Sequence, residues 1–272
     1  KYFLPYLLAS CIALICILGS RDMPEVKAEN TTPTPPPQTA VIQNTFEQTD
    51  YSNILRNCIP ENIGICRTSF LEKRPNNGYQ AAICHQGKIY IQNFSDHYQL
   101  ESSQELDLEL PLWGGLFFGN SYNYVICGKE HDAQAEAGGE VYRIIQYSKE
   151  FERIASLSLN SEETYTATPF YWGTVSIDEQ GDTLTVYTSR LRPDGKQSNI
   201  AIHINTTDMT VSDRTGMAKF PAMHQQDSFR QLVKYDAQKL LYADVSEEDG
   251  KSKVFLQFGE TKEIVAEGED EY

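Results

Sequence analysis

The sequence predicts an all-β fold: a propeller-like array of four-stranded antiparallel blades behind an N-terminal hydrophobic helix. Three observations predict it. Short runs rich in β-branched and aromatic residues recur from about Gly78 onward. The runs gather into units that begin alike. Almost no window of the body shows a helical period. A β-sandwich also gives short alternating strands and stands as the alternative.

The runs come in order. Lys88–Phe94 (KIYIQNF) is followed by Tyr98–Leu110, and Tyr122–Gly128 (YNYVICG) by Val141–Tyr147 and Ile154–Leu159. Thr183–Thr188 (TLTVYT) precedes Asn199–Ile204 (NIAIHI), and Lys239–Ala243 precedes Val254–Phe258 and Ile264–Val265. Each unit opens on an aromatic or apolar stretch: Tyr79, Leu112–Phe118, Pro169–Trp172 and Ser228–Val233. Polar turns separate the strands, as repeated four-stranded units require. Uneven spacing between the units places the excess residues in loops. Four units are visible, and the last residues, Glu267–Tyr272 (EGEDEY), are not expected to supply a closing strand. Most propellers carry more blades, so the expectation is a fragment of a longer chain, or else a small irregular ring.

The clearest unit is Pro169–Met209. Its Trp172, Ser176, Asp178, Gly181, Leu184, Ser189, Arg190, Asp194, Gly195, Asn199 and Ile200 follow a pattern: an aromatic, a Ser-x-Asp-turn-Gly hairpin, a strand ending in Ser-Arg, then an Asn-Ile strand. This resembles the repeat of TolB-like propellers. The resemblance implies an architectural role, with Asp178 bonding its own turn and Gly181 supplying a positive φ. Asp227–Val233 (DSFRQLV) also looks like a stretch of secreted bacterial propeller proteins.

Residues 1–28 read as a signal peptide or membrane anchor, 29–48 as a Pro/Thr-rich tether and 49–272 as the propeller-like domain. Tyr2–Gly19 carries no charge, and as a helix it is ~27 Å long, near the thickness of a bilayer core. Cleavage after Val26-Lys27-Ala28, retention as an anchor and lipidation at Cys11 remain open. Glu29–Thr39 (ENTTPTPPPQT) favours extended polyproline structure, a spacer between membrane and body. The chain is thus expected outside the cytoplasm, secreted or anchored in a bacterial envelope, touching a membrane only through residues 2–19.

Net charge is −15. Such a surface repels phosphate backbones, so nucleic acid is not an expected partner. The five histidines show no metal-ligand spacing, no Cys-x-x-Cys occurs, and phosphate-loop and nucleophile-elbow motifs are lacking, so no cofactor or metal is expected. Ser246–Asp249 before Gly250 lacks a calcium-loop order and reads as a hairpin turn. Cys58 and Cys66 flank a short loop and are a disulfide candidate; small buried thiols are the other reading.

The candidate ligand-binding residues are Trp113, Tyr171 and Trp172, aromatics able to line a sugar or peptide face or to pack between blades. The expected function is binding or scaffolding at the cell envelope, with carbohydrate or a protein segment as partner. The alternative is a propeller-type hydrolase or lyase whose carboxylates meet on the ring's axis, where chain order does not reveal them. A third reading is a structural partner domain.

Overall fold

The computed structural model describes residues 66–131, 138–212, 230–236, 239–248, 250–259 and 261–269. The leader, the tether and Cys58 lie outside the described residues, so the expected helix, tether and disulfide do as well.

The body is four consecutive antiparallel sheets, each laid down in sequence order. The first contains β1 (Ser69–Lys73), β2 (Tyr79–His85), β3 (Lys88–Phe94) and β4 (Leu100–Asp107). The second contains β5 (Leu112–Phe118), β6 (Asn123–Gly128), β7 (Glu140–Tyr147) and β8 (Arg153–Asn160). A one-turn helix, α1 (Ser161–Thr164), and a short strand, β9 (Thr168–Pro169), lead to the third sheet. That sheet runs β10 (Val175–Gln180), β11 (Thr183–Leu191), β12 (Gln197–Asn205) and β13 (Thr210–Val211), with β9 paired to β11. The fourth is β14 (Leu232–Asp236), β15 (Lys239–Glu248), β16 (Lys251–Phe258) and β17 (Thr261–Glu269). Four successive meanders make a propeller-like array, not the two facing sheets of a sandwich.

Local chemistry explains the elements. Asn160 caps α1 by accepting from the Glu163 amide at 2.8 Å, and the Glu163 side chain reaches back to the Asn160 amide. Gly181, with φ +56°, closes the β10–β11 hairpin, a conformation that costs other residues a steric penalty. β11 and β12 are buried almost end to end because sheets pack on both their faces. One apolar core joins the first three sheets, with Ile89, Trp113, Ile144 and Ile202 among its fully covered members. A second cluster around Tyr187, Val233 and Tyr242 joins the third sheet to the fourth.

Two expectations are corrected. The acidic C-terminal segment does enter a strand, because Glu267, Gly268 and Glu269 pair with Lys253, Ser252 and Lys251 of β16, and Lys251 bonds Glu267 at 2.7 Å. Asp178 does not bond its own turn. It is buried, with Oδ1 accepting from Lys234 Nζ at 3.1 Å and Oδ2 from the Tyr235 amide at 2.7 Å, so it ties β10 to β14.

Asp178 is the last tooth of a comb. Thr174 Oγ1 accepts from the Gln231 amide at 2.8 Å and Ser176 Oγ from the Val233 amide at 2.9 Å. Successive residues two apart on each strand meet, so β10 and β14 run side by side in the same direction. The comb satisfies the edge amides of β14, which have no strand partner on that side.

Candidate functional site

The same directional test orders the other innermost strands. Beside β5, Gly115 faces Val175 and Ile177, while Gly119 and Asn120 meet Glu179. Beside β1, the Cys66 sulfur lies 3.8 Å from the Gly173 carbonyl oxygen, and the Trp113 indole N–H donates to the Arg67 carbonyl at 2.8 Å. Glu72, at the far end of β1, is within electrostatic reach of Lys149 and Glu179. The first strand of every sheet therefore runs the same way along one axis.

These four strands line a cavity of about 820 Å³. Its walls are apolar, from Phe70, Leu116, Phe117, Phe118, Val175 and Ile177, with Leu71 and Leu232 largely exposed from the first and fourth sheets. Polar groups sit at the two ends. Arg67, Thr174, Arg230 and Gln231 mark the end where the strands begin, and Glu72 marks the end where they finish. An apolar cleft with a few converging polar groups is the usual form of a small-ligand site.

The beginning end is held firmly. Thr174 and Gln231 exchange two backbone-to-side-chain bonds, each 2.8 Å. The Arg67 guanidinium lies over the Phe70 ring at 5.6 Å, and Phe70 meets Trp113 edge to face. At the finishing end, Lys149 Nζ donates to the Gly119 carbonyl at 2.6 Å, and Glu179 accepts from the Asn120 amide. Burial pushes the Glu179 carboxyl above the ordinary glutamate range. Burial raises Glu72 as well, with the nearby Lys149 opposing the shift and Glu179 adding to it.

The sequence candidates separate. Trp113 is 1% exposed, packed in the core with its N–H engaged, so it offers no face to a ligand. It positions the Arg67 backbone instead, which corrects its expected binding role. Tyr171 and Trp172 stack on each other at 5.2 Å and 7°, and Trp172 is 43% exposed. They immediately precede Gly173 and Thr174 and so stand beside the arginine end. Cys66 is buried between the first and third sheets.

Arg67 and Glu72 carry no motif, and Arg230 and Gln231 fall in the Asp227–Val233 stretch, which marks a unit opening and not a site. The Thr-x-Ser-x-Asp alternation of Thr174–Asp178 is a legible signal. It marks the comb to the next sheet rather than a ligand site. Among the described residues, no three His, Cys, Asp or Glu side chains converge to hold a metal, and no helix is long and apolar enough to cross a membrane.

No protein-family model matches the chain, and neither does any characterised protein. Solved structures with some likeness include a bifunctional GH43-CE protein of Bacteroides eggerthii, at 10% identity and a TM-score of 0.43, covering 74% of this chain and 26% of that one. A thermostable family-43 glycoside hydrolase shares 10% identity at a TM-score of 0.38, over 73% of this chain and 69% of that one. Drosophila Plexin A, in complex with Semaphorin 1b, shares 11% at 0.38, over 74% of this chain and 66% of that one. The chain thus spans about a quarter of the first of these proteins.

Proposed function

We propose that the axial cavity binds carbohydrate and that the protein is an extracytoplasmic carbohydrate-binding propeller of the bacterial envelope. One observation carries this reading: four innermost strands converge on an 820 Å³ cleft with apolar walls and polar ends. A saccharide needs both. Its C–H faces lie on apolar and aromatic surface, and its hydroxyls bond planar polar side chains such as Arg, Glu and Gln. The Tyr171–Trp172 stack, with Trp172 partly exposed just before Gly173 and Thr174, offers a further aromatic surface to a sugar. The uncharged leader and the proline-rich tether favour an envelope location.

The test is a glycan array probed with the full chain, followed by calorimetry on the glycans retained. The reading expects at least one oligosaccharide to bind, and Trp172→Ala to weaken it about tenfold. Retention of short peptides with no glycan bound overturns the reading.

A hydrolytic reading is favoured by a separate observation. Burial raises the carboxyls of both Glu72 and Glu179, and an upward shift is the direction that suits a general acid. Hydrolysis of the bound oligosaccharide, with turnover lost and binding kept in Glu72→Gln and Glu179→Gln, supports it. Intact glycan after long incubation rejects it.

A further inference from the structure

We infer that a polar pocket just beyond the finishing end of the axial cavity is a second saccharide subsite, which takes one neutral sugar ring by its hydroxyls. The inference rests on the carbohydrate reading above and adds the path of the ligand out of the cavity and the charge of the ring that leaves it.

Two of the lining strands carry the cleft past its apolar part. Val175 and Ile177 line the cavity from β10, and Glu179 lies two residues further on. Alternate residues of a strand share a face, so Glu179 continues the same wall about 7 Å beyond Ile177. On β5 the wall ends at Phe118, and Gly119 and Asn120 follow directly. The Asn120 amide donates to Glu179 Oε1, which joins the two continuations. Here a separate pocket of about 210 Å³ opens between the second and third sheets.

Its lining differs in kind from that of the cavity. Asn120, Ser121 and Tyr122 come from the β5–β6 turn, Glu179 and Asp182 from the β10–β11 hairpin, and Thr207 from the turn after β12. The frame is fixed before any ligand arrives. The Thr206 amide donates to the Asp182 carbonyl at 2.9 Å, and Gln146 Nε2 donates to the Thr206 carbonyl at 2.8 Å. Gly119 lets the turn close on Glu179, since a Cβ there would lie 2.6 Å from Glu179 Oε2 and 2.6 Å from the Tyr122 carbonyl oxygen.

This chemistry selects the ligand. An ionised carboxylate offers about four acceptor sites, and the hydrogen bonds of Glu179 go to Asn120 alone among the described residues. The exposed Asp182 carboxylate holds no partner among the described residues. Spare acceptors suit a ligand rich in O–H donors, and two carboxylates side by side repel a negatively charged one. A neutral sugar ring meets both conditions. At about 30 Å³ for each water the pocket equals roughly seven waters, room for one ring and not for a chain.

The experiment measures the affinity of the full chain for cello-, xylo- and malto-oligosaccharide ladders, from disaccharide to hexasaccharide, by calorimetry with EDTA present. The expected result, in at least one ladder, is a step of about tenfold at the ring that reaches the pocket. Asp182→Ala flattens the ladder, so that longer members bind no better than shorter ones at unchanged Tm, and Asp182→Asn keeps part of the step. Oligomers carrying a uronate at that ring show no step. A ladder without a step, a step that survives Asp182→Ala, or one that appears only when EDTA is replaced by calcium overturns the second subsite and leaves the carbohydrate reading standing. Binding of no ladder member and of no glycan on the array overturns both.

Discussion

Thr174 and Gln231 hold each other reciprocally: the Thr174 amide donates to Gln231 Oε1 and the Gln231 amide donates to Thr174 Oγ1, both at 2.8 Å. Two sheets that share no strand are thereby joined at the arginine end of the cavity. Gln231 is fully buried. Gln231→Ala leaves the Thr174 amide without its acceptor and is expected to lower stability by about 1–3 kcal/mol, read as an earlier denaturant midpoint. An unchanged midpoint would show that packing alone joins the sheets.

Phe170 sets the spacing of the second and third sheets. It is fully buried at φ +57°, and its ring would lie 2.6 and 2.8 Å from a Cβ at Gly114 and 2.8 Å from one at Gly128. Gly128 also faces Pro169 and the Val141 carbonyl. Gly114→Ala is expected to cost about 1–3 kcal/mol by overpacking. In a Phe170→Ala background the same change should cost less, because the ring that it strikes is gone. Additive costs would place the strain elsewhere.

Glu179 makes stability depend on pH in a known direction. Its carboxyl is raised chiefly by burial, so the folded state holds the proton more tightly than the unfolded state does. Its contribution is most favourable at low pH and is lost as pH rises from the usual glutamate range near 4.5 through the raised folded value. Glu179→Gln should remove this loss, so the wild type loses stability relative to the variant across that window. Urea midpoints from pH 4 upward read the difference. A wild type that gains on the variant with rising pH contradicts the assignment.

Cys84 and Cys127 lie on β2 and β6, both packed in the core that joins the first two sheets. Burial pushes each thiol up to about 12. Thiolate is the reactive form, so neither should be alkylated by iodoacetamide at pH 8 in the folded protein, and both should be in denaturant. Peptide mapping by mass spectrometry distinguishes them from the other cysteines. Rapid native labelling of either would show that the first two sheets separate readily.

The strands were legible in the sequence because alternation and turn chemistry are local. Lys88–Phe94 is β3 as expected, and Asn199–Ile204 lies inside β12 with one residue to spare at its C-terminal end and two at its N-terminal end. β1 was missed, since Ser69–Lys73 (SFLEK) is short and half charged, and it is a strand because β2 pairs with it. The acidic start of the C-terminal tail was misjudged for the same reason: pairing with the lysines of β16 overrides composition. The site was less legible. Trp113 was conspicuous as an aromatic but serves the core, while Arg67 and Arg230 lie 163 positions apart and meet one cavity only because two strands run the same way. No spacing rule within the chain encodes that meeting.

The central claim is that ligand enters the axial cavity. Leu71 and Leu232 line it and are 69% and 62% exposed, so a larger side chain at either fills space without displacing packed neighbours. The decisive measurement is the affinity of the Leu71→Trp/Leu232→Trp double variant for the oligosaccharide that the wild type retains, with Tm recorded alongside. The account predicts binding weakened at least about tenfold at unchanged Tm. Wild-type affinity in that variant would place the ligand elsewhere and contradict the account.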